Sequence, residues 1–277
     1  MVMLRSYITS LDGIVKKYNN KVVLDNISMQ IEQGQSVAFI GCNGCGKSTL
    51  LKIIARIVQP TTGKIQYEKS YLFHYVPEHF PKMHLTVKQY LLSQGKMDGL
   101  KDAELKERIQ TLSEDFLFPS MVDIPMKHLS KGSLQKVGVM QALLKEPDVL
   151  LLDEPLSGQD VKSQQVFIEK INALRKKDTI ILMACHEPYL IDAIADYVYR
   201  LDGGILTVDN KTYFQQKQKY VLFFKSQQHT EIPEQWKGHL QYVENGCNLR
   251  VTEEKCNIAI LEMLQAGWNL RGMWNEN

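Results

Sequence analysis

The sequence predicts an α/β fold. A mainly parallel sheet forms the core, joined by an antiparallel β subdomain, a helical subdomain and a small C-terminal α+β appendage. Three observations predict it. Short apolar runs at Ser36–Ile40, Val149–Asp153 and Ile180–Ala184 alternate with stretches of helical periodicity. The first of these runs leads straight into a glycine-rich loop. The composition then shifts after Gly203-Gly204.

Residues Gly13 to Gln33 alternate apolar and polar positions, with turn signals at Asn19-Asn20 and Asp25-Asn26, and read as strands of an antiparallel region. Helical periodicity runs from Thr49 to Ile57 and is stopped by Pro60 and Gly63. From about Thr86 to Lys145 the spacing of Val87, Tyr90 and Leu91, and of Leu105, Ile109 and Leu112, predicts helices, interrupted by Pro119 and Pro125. A further helix is expected over Ser163 to Lys176. Beyond Gly204, strand-like runs at Tyr220–Phe224 and Leu249–Thr252 precede an amphipathic helix near Glu253 to Gln265. The expected division is therefore a main domain over 1–209, with a helical subdomain at about 79–144, and an appendage over 210–277.

Composition narrows the function classes. The 33 basic and 31 acidic residues leave a net charge of +2, which offers no electrostatic footprint for nucleic acid or an anionic membrane. No nucleic-acid partner is expected. No apolar stretch approaches the roughly 20 residues of a membrane-spanning helix, and the N-terminus lacks the apolar core of a signal peptide. Five cysteines, an odd number, fit a reducing cytosol better than a disulfide framework. A cytoplasmic protein is expected, with any membrane work done through a partner.

Gly41-Cys42-Asn43-Gly44-Cys45-Gly46-Lys47-Ser48 fits G-x-x-x-x-G-K-[ST], and Thr49 follows. A loop that leaves a strand and opens a helix turns successive backbone N–H groups inward, making a nest for phosphate oxygens. Lys47 supplies a point charge to the β- and γ-phosphates, and the Ser48 hydroxyl can ligate Mg²⁺. This is the pattern of a P-loop NTPase core. Cys42 and Cys45 also form C-x-x-C, but no second pair lies at ligand spacing and the loop itself dictates their interval.

The apolar run Val149–Leu152 ends in Asp153-Glu154-Pro155. Burying that strand brings Asp153 to the C-terminal edge of the sheet, where open α/β sheets bind ligands. Asp153 is then a direct or water-mediated Mg²⁺ partner, and Glu154 can polarise the attacking water.

At this point the residues resemble the ATP-binding cassette family, over about Leu11 to Asp209. Leu129-Ser130-Lys131-Gly132-Ser133 resembles the family's signature L-S-G-G-Q, with Lys131 for glycine and Ser133 for glutamine. Ser130 and Gly132 are the signature residues that would contact a γ-phosphate. Ser157-Gly158-Gln159-Asp160 resembles the D-loop, and His186 matches the switch histidine. Tyr18 resembles the aromatic that stacks on adenine. Glu78 falls where the family places its Q-loop glutamine, as a carboxylate still able to bind Mg²⁺ or its water. The Pro77-Glu78 form, the altered signature and the appendage resemble the drug-, antibiotic- and bacteriocin-exporter branch.

The resemblance implies an ATPase that uses ATP and Mg²⁺, with Glu154 and His186 catalytic. It also implies two partners: a transmembrane permease, and a second cassette paired head to tail as a homodimer. The chain would then sit peripherally at the inner face of the cell membrane. Two rival readings stay open: a soluble cassette acting on ribosomes or nucleic acid, and a regulatory cassette with weak turnover. A GTPase is disfavoured, because Asn20-Lys21 continues into Val22-Val23 rather than N-K-x-D.

Overall fold

The computed structural model describes residues 7–209, 219–225, 232–243 and 246–275. The chain's start, read above for a leader, and the head of the appendage at 210–218 lie outside them. The chain divides into two compact units, Met1–Asp209 and Asn210–Asn277.

The first unit opens with a hairpin of β1 (Tyr7–Tyr18) and β2 (Lys21–Glu32). Asn19 takes a left-handed φ of 53° in its turn. Asp25-Asn26, expected as a second turn, is instead an irregularity within β2. The register slips between Ile14–Ile27 and Lys16–Leu24, and Asn26 carries a φ of 51°. An extra residue taken up as a bulge lets the strand bend without ending.

The parallel core begins with β3 (Ser36–Ile40), followed by α1 (Lys47–Ile54). The helix starts earlier than its periodicity suggested and stops at Ala55, where Arg56 enters the left-handed region. β4 (Thr62–Tyr67) returns to the hairpin and completes a three-stranded antiparallel sheet, β2-β1-β4.

β5 (Phe73–Val76) leads into α2 (Val87–Met97), α3 (Asp102–Asp115) and α4 (Lys131–Leu143). Pro119 and Pro125 sit at two short 3₁₀ turns between α3 and α4. β6 (Val149–Asp153), α5 (Val161–Arg175), β7 (Ile180–Ala184), α6 (Pro188–Ile194), β8 (Tyr197–Asp202) and β9 (Ile205–Val208) complete the unit.

The main sheet runs β5-β6-β7-β3-β8-β9, parallel except for the last pair. Every residue of β3, β6 and β7 is buried, as expected of parallel strands covered on both faces. The parallel topology positions the site. The segments leaving β3, β5, β6 and β7 all depart from one edge of neighbouring strands, so residues far apart in sequence meet there.

The second unit has its own core. β10 (Lys219–Lys225), β11 (Leu240–Val243), β12 (Gly246–Thr252) and β13 (Asn269–Asn275) form an antiparallel sheet in the order β11-β12-β10-β13. Leu222, Phe224 and Leu249 of the sheet pack with Cys256, Ala259 and Met263 of the helix α7 (Glu253–Gln265). Trp236 and Trp268 join that core, while Trp274 stays half exposed. β11 and β13 had no clear alternation in the sequence; both lie at the sheet's edges.

Candidate functional site

The loop between β3 and α1 curls round a lysine. Lys47 Nζ donates to the carbonyls of Gly41 at 2.8 Å and Cys42 at 3.2 Å, and the side chain is buried. Gly46 is the N-cap residue of α1, with a φ of 114° that an L side chain rarely adopts. It offers no side chain to the first-turn N–H groups. The contrast with other helices is informative, because Thr86 caps α2, Ser130 caps α4 and Asp160 caps α5. A helix of eight residues whose leading amides have no side-chain acceptor presents donors and positive dipole to an anion.

A cavity of about 500 Å³ opens over this loop. Asn43, Gly44, Gly46, Lys47, Ser48 and Thr49 line it from below. Tyr18, 46% exposed, contributes its ring, with the Lys16 ammonium 4.9 Å from the ring centre. Glu78, Glu154 and His186 line it as well. Gly41, Cys42, Cys45 and Asp153 do not line it: the carbonyls of the first two hold Lys47, and burial pushes the Cys45 thiol up.

Asp153 is 2% exposed at the end of β6. Ser48 Oγ donates to its Oδ1 at 2.9 Å, and the Tyr75 hydroxyl donates to its Oδ2 at 2.9 Å. Burial and this carboxylate hold the Tyr75 phenol well above its ordinary range, so it remains a donor. Glu154 follows with a φ of 48°. That left-handed turn breaks the alternation of the strand and swings the side chain into the cavity, at a backbone cost on the order of 1–3 kcal/mol. His186 Nδ1 lies 3.1 Å from Glu154 Oε1.

Glu154 has a carboxyl pushed up from 4.5 to about 7, chiefly by burial and then by the Glu187 carboxylate, with Asp153 and Glu78 adding to it. Lys47 opposes the rise. A base so poised titrates near neutrality, where general bases work best.

Ser130 and Gly132 are not brought to this cavity. Ser130 accepts the Ser133 N–H at 3.1 Å as the cap of α4. A Cβ on Gly132 would lie 1.9 Å from the Gly158 carbonyl, so only glycine allows this approach of α4 to the 157–160 loop. Lys136 and Asp160 pair at 2.8 Å across the same junction. Nucleotide contact by Ser130 and Gly132 is therefore not made within this cavity of one copy.

Sequence reasoning missed Val23, Ser157 and Glu187 as lining residues, and Tyr75 behind them. Glu187 could have been found as the neighbour of His186. Ser157 was read only as part of the D-loop, while Val23 and Tyr75 gave no signal without knowledge of strand pairing.

A family model described as ABC transporter matches residues 24–157. The zinc import ATP-binding protein ZnuC of Photobacterium profundum is 33% identical over 229 residues, covering 81% of this chain and 86% of that protein. The protein of the same name from Vibrio parahaemolyticus is 32% identical over 223 residues, covering 79% and 82%. The chain belongs to the ATP-binding cassette family.

Among solved structures, an ATP-binding subunit of an ABC transporter overlays the cassette with a TM-score of 0.68 at 26% identity, over 75% of this chain and 92% of that one. A dimeric cassette in a post-hydrolysis state with ADP and phosphate shares the fold, with a TM-score of 0.66 at 19% identity, over 73% and 98%. The cassette is an ATPase that hydrolyses ATP with Mg²⁺ in support of transport. Its donor set fits that cation: a hydroxyl from Ser48 and a carboxylate from Asp153 are the hard oxygen ligands magnesium takes.

The position of Glu154 predicts a pH profile. If ionised Glu154 is the base, kcat/KM for ATP falls about tenfold per pH unit below about 7 and levels off above it. Glu187→Gln removes the largest repulsive charge on Glu154, so the limb moves to lower pH. A flat profile on both sides of neutrality would contradict the assignment.

Proposed function

We propose that this cassette powers an importer of divalent metal ions of the zinc class, working as a head-to-tail homodimer on a separate membrane permease. The direction follows the relatives: proteins about a third identical over four-fifths of the chain carry zinc-import names, which outweighs the resemblance of short motifs to the exporter branch. Among the described residues no helix is long and apolar enough to cross a membrane, and the translocation path is assigned to the permease. The cassette is then peripheral at the cytoplasmic face.

The observation that carries the reading is the split of the machinery. Lys47, Ser48, Glu154 and His186 line one cavity, whereas Ser130 and Gly132 lie outside it at the start of α4. A second copy supplies the missing pair: its signature would close on the γ-phosphate held by the first. Lys47 and the first-turn amides of α1 hold the phosphates. Ser48 and Asp153 would hold magnesium, which when bound would neutralise phosphate charge. Glu154 orients and deprotonates the attacking water, and His186 orders the Glu154 carboxylate beside the γ-phosphate. The Glu78 loop carries closure to the permease, because Gln135 of α4 donates to the Pro77 carbonyl at 3.0 Å.

The test is zinc uptake in cells lacking this chain. Uptake from zinc-poor medium is expected to disappear and to return with the wild-type chain but not with Glu154→Gln. Undiminished zinc uptake in the deletion strain would refute the proposed cargo.

A further inference from the structure

We propose that Tyr75 is a positioning residue for the magnesium site, setting the orientation of the Asp153 carboxylate through its hydroxyl. The inference rests on the reading of Asp153 as a magnesium partner. The placement follows from strand pairing. β5 and β6 are parallel, with Tyr75 opposite Leu151 and Val76 opposite Leu152. Side chains alternate along a strand, so Tyr75, Leu151 and Asp153 share one face of the sheet. A tyrosine is long enough to reach two positions forward, and its hydroxyl meets Asp153 Oδ2 at 2.9 Å.

Both oxygens of Asp153 are thereby engaged, Oδ1 by Ser48 and Oδ2 by Tyr75. A buried carboxylate gripped at one oxygen can still rotate about its terminal bond; gripped at both, it cannot. Such outer contacts fix how a ligand presents itself to a metal, and losing one costs about ten- to a hundredfold in affinity. Tyr75 also stands just ahead of Pro77 and Glu78, so the Asp153 carboxylate is tied to the strand end that feeds the Glu78 loop.

The experiment uses the whole chain and a fluorescent ATP analogue whose binding is followed without turnover. Tyr75→Phe keeps the ring and removes only the donor. Affinity in EDTA is expected to be unchanged, while the Mg²⁺ concentration giving half the magnesium-dependent gain in binding rises about tenfold. Turnover is expected to drop at limiting Mg²⁺ and to recover as Mg²⁺ saturates. An unaltered Mg²⁺ midpoint would overturn the proposal. Tyr75→Met, also donor-free, replaces the phenylalanine variant if that protein is not recovered folded. Asp153→Asn separates the two readings. A midpoint that moves in Asp153→Asn but not in Tyr75→Phe sinks the role of Tyr75 alone. One that moves in neither sinks the assignment of Asp153 to the metal.

Discussion

Glu154→Gln is expected to lower ATP turnover by about 100- to 10,000-fold, the range a positioned general base contributes, while ATP binding persists. Glutamine preserves the shape of the side chain and its hydrogen bond toward His186, but it cannot accept the proton from water. It also removes a negative charge that would face the γ-phosphate, so affinity stays level or improves. With hydrolysis blocked, ATP-bound copies accumulate in the closed pair, and gel filtration with MgATP is expected to show a dimer that the wild type does not retain. A monomeric variant with undiminished turnover would refute the role.

The same substitution carries a stability signature. The folded carboxyl titrates near 7 and the unfolded one near 4.5, so the native state binds the extra proton between those values. Stability from this group therefore falls as pH rises through that window. Glu154→Gln abolishes that dependence, and its melting temperature is expected to exceed the wild type's above the window but not below it.

Lys47→Ala carries the second large effect. Among the described residues Lys47 is the one ammonium lining the cavity, which Glu78, Glu154 and Glu187 also line. Hydrogen bonds to charged groups are worth about 1.5–3 kcal/mol each, so removing the ammonium is expected to weaken MgATP binding by at least about tenfold. The loss compounds, because Lys47 also holds the Gly41 and Cys42 carbonyls in the loop's curl. Removing the ammonium also takes away the positive charge that opposes the rise of the Glu154 carboxyl. Calorimetry with magnesium present reads the effect, and wild-type affinity in Lys47→Ala would contradict the phosphate site.

Much of this was legible because the motifs are contiguous. A phosphate loop needs its glycines, lysine and serine at fixed positions within one short stretch, since one strand-to-helix turn must supply every amide. The strands β3, β6 and β7 are likewise visible as apolar runs, because parallel strands buried on both faces have no polar side to show. Asp25-Asn26 misled, since a bulge and a turn draw on the same residues. The edge strands β11 and β13 escaped because neither face is fully buried. The motif-level likeness to exporters carries less weight than the likeness to the zinc-import proteins. A few substitutions in a loop carry less information than identity spread over some two hundred residues.

The order of residues alone determined the parallel core, the anion-binding loop and the acid pair, because each is encoded within one strand or turn. Only the folded chain decided which groups act on one another. Strand pairing brought Tyr75 to Asp153 from 78 positions away, and a left-handed backbone turned Glu154 into the cavity. Burial, and after it the Glu187 carboxylate, lifted the Glu154 carboxyl toward neutrality. The fold left Ser130 and Gly132 outside the cavity that their own chain's phosphate loop lines. Side chains interact through space, and a linear pattern records distance along the chain rather than across it.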